Sequence, residues 1–170
     1  MGTQQILLIV LSVIIVGAAI AVGIQMFNSQ SYSANKSAIA ADAQSYATQV
    51  IQYYKTPLSQ GGAGGEVPDD DTGEGAATSE AKIGGFLGWV VGTGVAGSAT
   101  PWAASTYGTS NENGYYYISD ITPGATGSVK IIGVGAEERN SLSPKIETTI
   151  SFPDGDITAV ASDVATGSGS

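Results

Sequence analysis

Residues 6–27 contain no charged side chain, and residues 28–56 contain neither glycine nor proline. The first stretch, ILLIVLSVIIVGAAIAVGIQMF, is about 22 residues long, close to the roughly 20 that a helix needs to cross a bilayer. The second stretch carries Tyr32, Lys36, Ile39, Ala43, Tyr46, Ala47, Val50 and Tyr54 in steps of three and four, with Ser, Asn, Gln and Thr opposite. Those steps place one apolar stripe on a helix. Pro57 ends it, because the residue before a proline avoids helical angles. One continuous helix is therefore expected from about residue 3 to 56, roughly 80 Å long at 1.5 Å per residue. A globule built from 170 residues cannot enclose such a rod. Its apolar half must lie in lipid or among copies of itself.

Four kinds of segment compete for residues 6–27: a cleaved signal peptide, a plain membrane anchor, a buried core helix and a polymerising helix. A secretory signal has a basic n-region before its apolar run. Here Met-Gly-Thr-Gln-Gln precedes it, without Lys or Arg, although Ala19-Ile20-Ala21 has the small-x-small form of a cleavage site. N-myristoylation of Gly2 requires Ser or Thr at the sixth position, which is Ile6. Gly17 and Gly23 each cost about 1 kcal/mol against Ala inside a helix. Paired as Gly17 with Ala21 and Ala19 with Gly23, they form small-xxx-small surfaces for close helix contact. The second reading of the two glycines is a stretch that unwinds on assembly.

Chemistry is restricted by what is missing. The chain has no Cys and no His, so disulfides, thiolate metal sites and the commonest general base are excluded. With 6 Lys and Arg against 15 Asp and Glu, the net charge is −9, and no basic surface for nucleic acid can form. No pair of acids, Ser-Lys dyad or phosphate loop stands out, so neither an enzyme nor a cofactor is expected. Charged residues are only 12% of the chain, which is low for a soluble monomer.

Residues 57–80 read as a Gly-rich acidic linker. Within it, Asp69 and Asp71 are a weak calcium candidate, because hard cations want several carboxylates on one loop. The spacing is not that of an EF-hand loop. After residue 80 the apolar period becomes two, and strands are expected at 82–91, 115–121, 128–134, 145–152 and 156–162. Ile146, Thr148, Ile150 and Phe152 share one face, and Pro153-Asp154-Gly155 is a turn into a strand whose Ile157, Ala159 and Ala161 extend that face. Residues 92–112 read as a long Gly/Ser/Thr loop. Tyr115 and Tyr117 alternate with Tyr116, and these tyrosines, like Trp89 and Trp102, are expected at packing or interface positions. Asn35-Lys36-Ser37 is the only glycosylation sequon.

The expected fold class is α+β, a long N-terminal helix packed on a small antiparallel sheet. Its parts are the apolar half at 1–27, the amphipathic half at 28–56, the linker at 57–80, the β domain at 81–163 and a flexible tail at 164–170. Ile39, Ala43, Tyr46, Val50 and Tyr54 dock the helix on the sheet.

A short leader ending in Gly2, an apolar helix and an amphipathic half resting on a small β domain resemble a type IV pilin or pseudopilin. That resemblance implies a homopolymer, with Ile6, Leu7, Leu8, Leu11, Ile14, Ile15, Gly17, Ala21 and Gly23 in its core. It implies residence in the cytoplasmic membrane before assembly, an extracellular filament afterwards, pilus assembly machinery, and a leader peptidase cutting between Gly2 and Thr3. Two features depart from the family pattern: the leader is uncharged, and Leu7 stands where the family carries a glutamate. The alternatives are a pseudopilin of a secretion apparatus and a single-pass anchor displaying a β module for adhesion or binding.

Overall fold

The computed structural model describes residues 2–70, 78–92 and 106–165. Helix α1 runs unbroken over Gly2–Lys55. Its end is capped by the Gly-rich stretch expected as a linker. After a 3-10 turn at Leu58–Gln60, the backbone N–H groups of Ala63, Gly65 and Gly64 donate to the carbonyls of Tyr53, Tyr54 and Thr56 at 2.8–2.9 Å. These terminal carbonyls have no partner within the helix, and a returning chain satisfies them. Gly65 makes this reversal at φ +91°, which a residue with a Cβ adopts only with strain. Val67 then bridges to Gly124 and is buried. The part of this segment up to residue 70 is thus built into the domain.

The strand expected at 82–91 is corrected. Ser79–Leu87 forms a second helix, α2, and only Val90–Val91 is extended, as β1. The α2 N-terminus carries two caps. Thr78 Oγ1 accepts from the Ala81 N–H at 3.1 Å, and Asp70 Oδ1 accepts from the Ser79 N–H at 2.6 Å. Gly88, at φ +70°, closes the other end. Capping and the burial of Ile83 outweigh the poor helix propensity of Gly84-Gly85. Gly84 also lies flat against the Tyr107 ring, where a Cβ would collide.

The remaining strands are β2 (Tyr107–Asn111), β3 (Gly114–Thr122), β4 (Ser128–Gly135), β5 (Leu142–Ser151) and β6 (Asp156–Ala165). All six form one antiparallel meander in chain order. β2 lies in the stretch read as loop, and β6 runs into the expected tail. The architecture is α+β, with α1 packed on the sheet.

The docked half of α1 lies mainly over β4 and β5. Ile39, Ala43, Ala47 and Val50 meet Tyr116, Ile118, Val129, Ile131, Ile146 and Ile150 in one core. Burying each large aliphatic side chain contributes about 1.5–3 kcal/mol. β5 turns Ile146 and Ile150 inward as its alternation requires, with Thr148 between them. Across the pair, Ile157, Ala159 and Ala161 stand in register with Ile150, Thr148 and Ile146. Ala159 and Ala161 are nevertheless exposed, because α1 does not extend over β6 at this level. Shared register gives a residue a face of the sheet; only the helix position decides whether that face is covered.

Candidate functional site

Every residue described from Gly2 to Gln30 is exposed. The large apolar side chains from Ile6 to Phe27, including Leu7, Leu8, Leu11, Ile14 and Ile15, are 49–70% accessible, and the mean hydropathy of the stretch reaches 3.0. Soluble proteins rarely expose contiguous apolar patches beyond a few hundred Å², and larger ones mark partner or membrane contacts. The one polar side chain in its middle, Ser12, returns its hydroxyl to the Ile9 carbonyl at 2.8 Å. Among the described residues, nothing beyond the helix's own neighbouring backbone lies within 4 Å of where a Cβ on Gly17 or Gly23 would stand. The small surface at Gly17, Ala21 and Gly23 is open to another helix. Gly2 and Thr3 form the first residues of α1.

A polar collar joins this rod to the domain. The Tyr32 hydroxyl donates to Asp163 Oδ1 at 2.7 Å, and Lys36 Nζ donates to the same oxygen at 3.3 Å. The Arg139 guanidinium lies 5.4 Å from the centre of the Tyr32 ring and reaches Ser29 Oγ at 3.4 Å. Burial, together with Asp163, pushes the Tyr32 hydroxyl up to about 12. The bond from Tyr32, then that from Lys36, holds the Asp163 carboxyl below the usual range. These bonds tie the β4–β5 turn and the end of β6 to α1 just above its apolar half. The domain is therefore held at the point where the exposed rod begins.

A second set of bonds centres on Asp42, the only acid in α1. Its Oδ2 accepts from Tyr116 Oη at 2.7 Å, Asn113 Nδ2 at 2.8 Å and Asn111 Nδ2 at 2.9 Å. Burial opposes its ionisation, but the bonds from Asn113, Tyr116 and Asn111 prevail and keep the carboxyl below its ordinary value. The same burial, with the neighbouring Asp42, pushes the Tyr116 hydroxyl well up. Asn35 adds a bond from Nδ2 to the Asn113 carbonyl at 2.7 Å. Ala40, Ala43 and Ala47 make the helix surface smooth at the sheet, and the bond donated by Asn35 and those accepted by Asp42 tie that surface to the β2–β3 hairpin.

The docking residues read from the stripe are together on this face. Ile39 and Ala43 are fully enclosed, and Val50 and Tyr54 are buried. Tyr46 packs edge-on to Trp89 at 5.2 Å and lies 5.0 Å from Tyr116. Tyr54 stacks on Phe152 at 4.1 Å and donates to the Ala125 carbonyl at 2.8 Å. The stripe omitted Tyr53, which is buried beside Phe86 of α2, and Asp42. A lone acid at the margin of an apolar stripe is the signal that marks Asp42.

Other candidates lie elsewhere. Tyr115 and Tyr117 stack on each other at 6.2 Å, while Tyr116 turns into the core. Trp102 and Asp71 fall outside the described residues. Asp69 Oδ1 accepts from the Asp70 N–H, and Asp70 serves as a cap for α2. Among the described residues, no group of three acids is placed to hold a metal ion. The sequon at Asn35 is occupied by structure: its Nδ2, the atom a glycan would use, is bonded to Asn113, and its Oδ1 sits against Gly135. A sugar there requires that contact to be given up.

Comparison with protein-family models finds none that matches this chain, and comparisons with curated proteins and with solved structures likewise find no match.

Proposed function

We propose that this protein is a pilin-like structural subunit. Its apolar helix half rests in the cytoplasmic membrane before assembly and packs among the same segments of neighbouring copies in an extracellular helical filament. The observation that carries this reading is the exposed apolar surface of residues 6–27, continuous with a helix half fastened to its own domain. Burial of each large side chain there contributes about 1.5–3 kcal/mol, so a helix surrounded by copies gains far more than one in water. Identical copies related by a rotation that does not close form an open helix. With Leu7 in place of an acid, apolar contact dominates this assembly, and Gln4 and Gln5 add neutral hydrogen bonds.

The test is the substitution Leu11→Lys or Ile14→Lys, with sheared surface material imaged by negative stain. A lone charge in an apolar bundle costs several kcal/mol per subunit, so long fibres should disappear. Fibres at the normal yield would remove residues 6–27 from the core. A native protein recovered only as a detergent-soluble monomer would favour the single-pass anchor, which the same hydropathy also supports. Short assemblies confined to the envelope would favour the pseudopilin.

A further inference from the structure

Where the β2–β3 turn enters β3 stands Asn113-Gly114, the dipeptide most prone to cyclise. In that reaction the Gly114 backbone nitrogen attacks Cγ of Asn113. The Nδ2 group leaves as ammonia and a five-membered imide forms. Water then opens the imide to aspartate or isoaspartate. Glycine favours the step because it leaves the attacking nitrogen unshielded and its backbone free to turn.

This fold cannot remove the hazard by changing the second residue. A Cβ at position 114 would collide with the Val134 carbonyl, so the register of β3 on β4 demands glycine there. Nor is Asn113 dispensable. Its backbone carbonyl accepts from Asn35 Nδ2 at 2.7 Å and from the Ala136 N–H at 2.9 Å, and its side chain serves Asp42.

We propose that Asn113 is a latent self-deamidation site, held closed by Asp42 and Asn111. Both reacting groups are restrained. The leaving nitrogen, Nδ2, donates to Asp42 Oδ2 at 2.8 Å, which fixes the carboxamide against the rotation that attack requires. The attacking nitrogen of Gly114 donates its proton to Asn111 Oδ1 at 3.2 Å, and the Asn113 N–H shares that oxygen at 3.0 Å. Reaction would also undo its own restraint. A carboxylate at position 113 would face the Asp42 carboxylate where a donor now stands, and isoaspartate would lengthen the turn backbone and break its register.

The full chain in detergent is incubated at mildly alkaline pH, and deamidation is followed by peptide mapping, with Asn140 in the β4–β5 turn as internal reference. In the unchanged protein, Asn113 should react no faster than Asn140. Asp42→Ala should raise the Asn113 rate at least several-fold relative to Asn140. Asn111→Ala, which alters an exposed side chain, should raise it as well and serves alone if the first variant does not fold. Val50→Ala destabilises the core far from the turn and should leave the ratio unchanged. An unchanged ratio in the Asp42 and Asn111 variants overturns the proposal. So does an equal rise in Val50→Ala, since global opening would then govern the reaction.

Discussion

Replacing Asp42 by Ala removes the acceptor of three donors at 2.7–2.9 Å, one of them the hydroxyl of the fully buried Tyr116. A hydrogen bond to a charged group is worth about 1.5–3 kcal/mol, and bonds sharing one oxygen do not add. Asn111 is exposed and recovers water as a partner, whereas Tyr116 cannot. The expected cost is therefore about 2–4 kcal/mol, borne chiefly by Tyr116 and Asn113. A double-mutant cycle with Tyr116→Phe isolates the first of these and should give a coupling of about 1–2 kcal/mol. The assay is thermal unfolding of the full chain in detergent, followed by near-ultraviolet circular dichroism, which reports the packed tyrosines. Acid supplies an independent arm. The folded Asp42 carboxyl lies below its ordinary value, so its contribution is present above the unfolded value of about 3.9 and is lost as pH falls through the folded one. The difference between the native protein and Asp42→Ala should hold steady near neutrality and shrink below about pH 4. A coupling near zero, or a difference that persists undiminished into strong acid, would refute the reasoning.

Thr148 is fully buried, and its Oγ1 has no hydrogen-bond partner among the described residues. Thr148→Val keeps the shape and removes the unsatisfied hydroxyl, and should stabilise the domain by about 1 kcal/mol, read as a raised melting temperature. Val50→Asp places an unpaired carboxylate in the helix–sheet core and should cost about 3–5 kcal/mol, and a melting temperature matching the native one would show that Val50 does not bear on the sheet. If apolar contact governs assembly, fibres should survive 1 M salt, where the screening length is about 3 Å, and should tolerate Gln5→Ala better than Leu8→Ala. Dissolution in salt, or the reverse order of defects on imaging, would place a polar contact at the start of the helix in charge.

Local pattern alone determined the long helix, its division at about residue 28, the face it buries and the central strands. In each case the signal is periodic and spans many residues: the uncharged run over 6–27, the three- and four-residue steps from Tyr32 to Tyr54, and the alternation from Ile146 to Ile150. The departures are equally local in origin. Residues 82–91 contain enough apolar side chains for a strand, but Thr78 and Asp70 cap a helix there, and Asp70 acts across nine positions of chain. The glycines after Pro57 look like a linker because composition does not reveal that their N–H groups cap α1. Tertiary structure decided the rest. Asp42 meets Asn111, Asn113 and Tyr116 across some 70 residues, Tyr32 meets Asp163 across 131, and the sequon at Asn35 is taken up by a turn 78 residues away. Ile157, Ala159 and Ala161 alternate as a buried strand does, yet two of them face solvent because the helix lies over β4 and β5. Periodicity specifies which side of an element is apolar. What stands opposite that side depends on contacts between distant segments, which no local window of the chain contains.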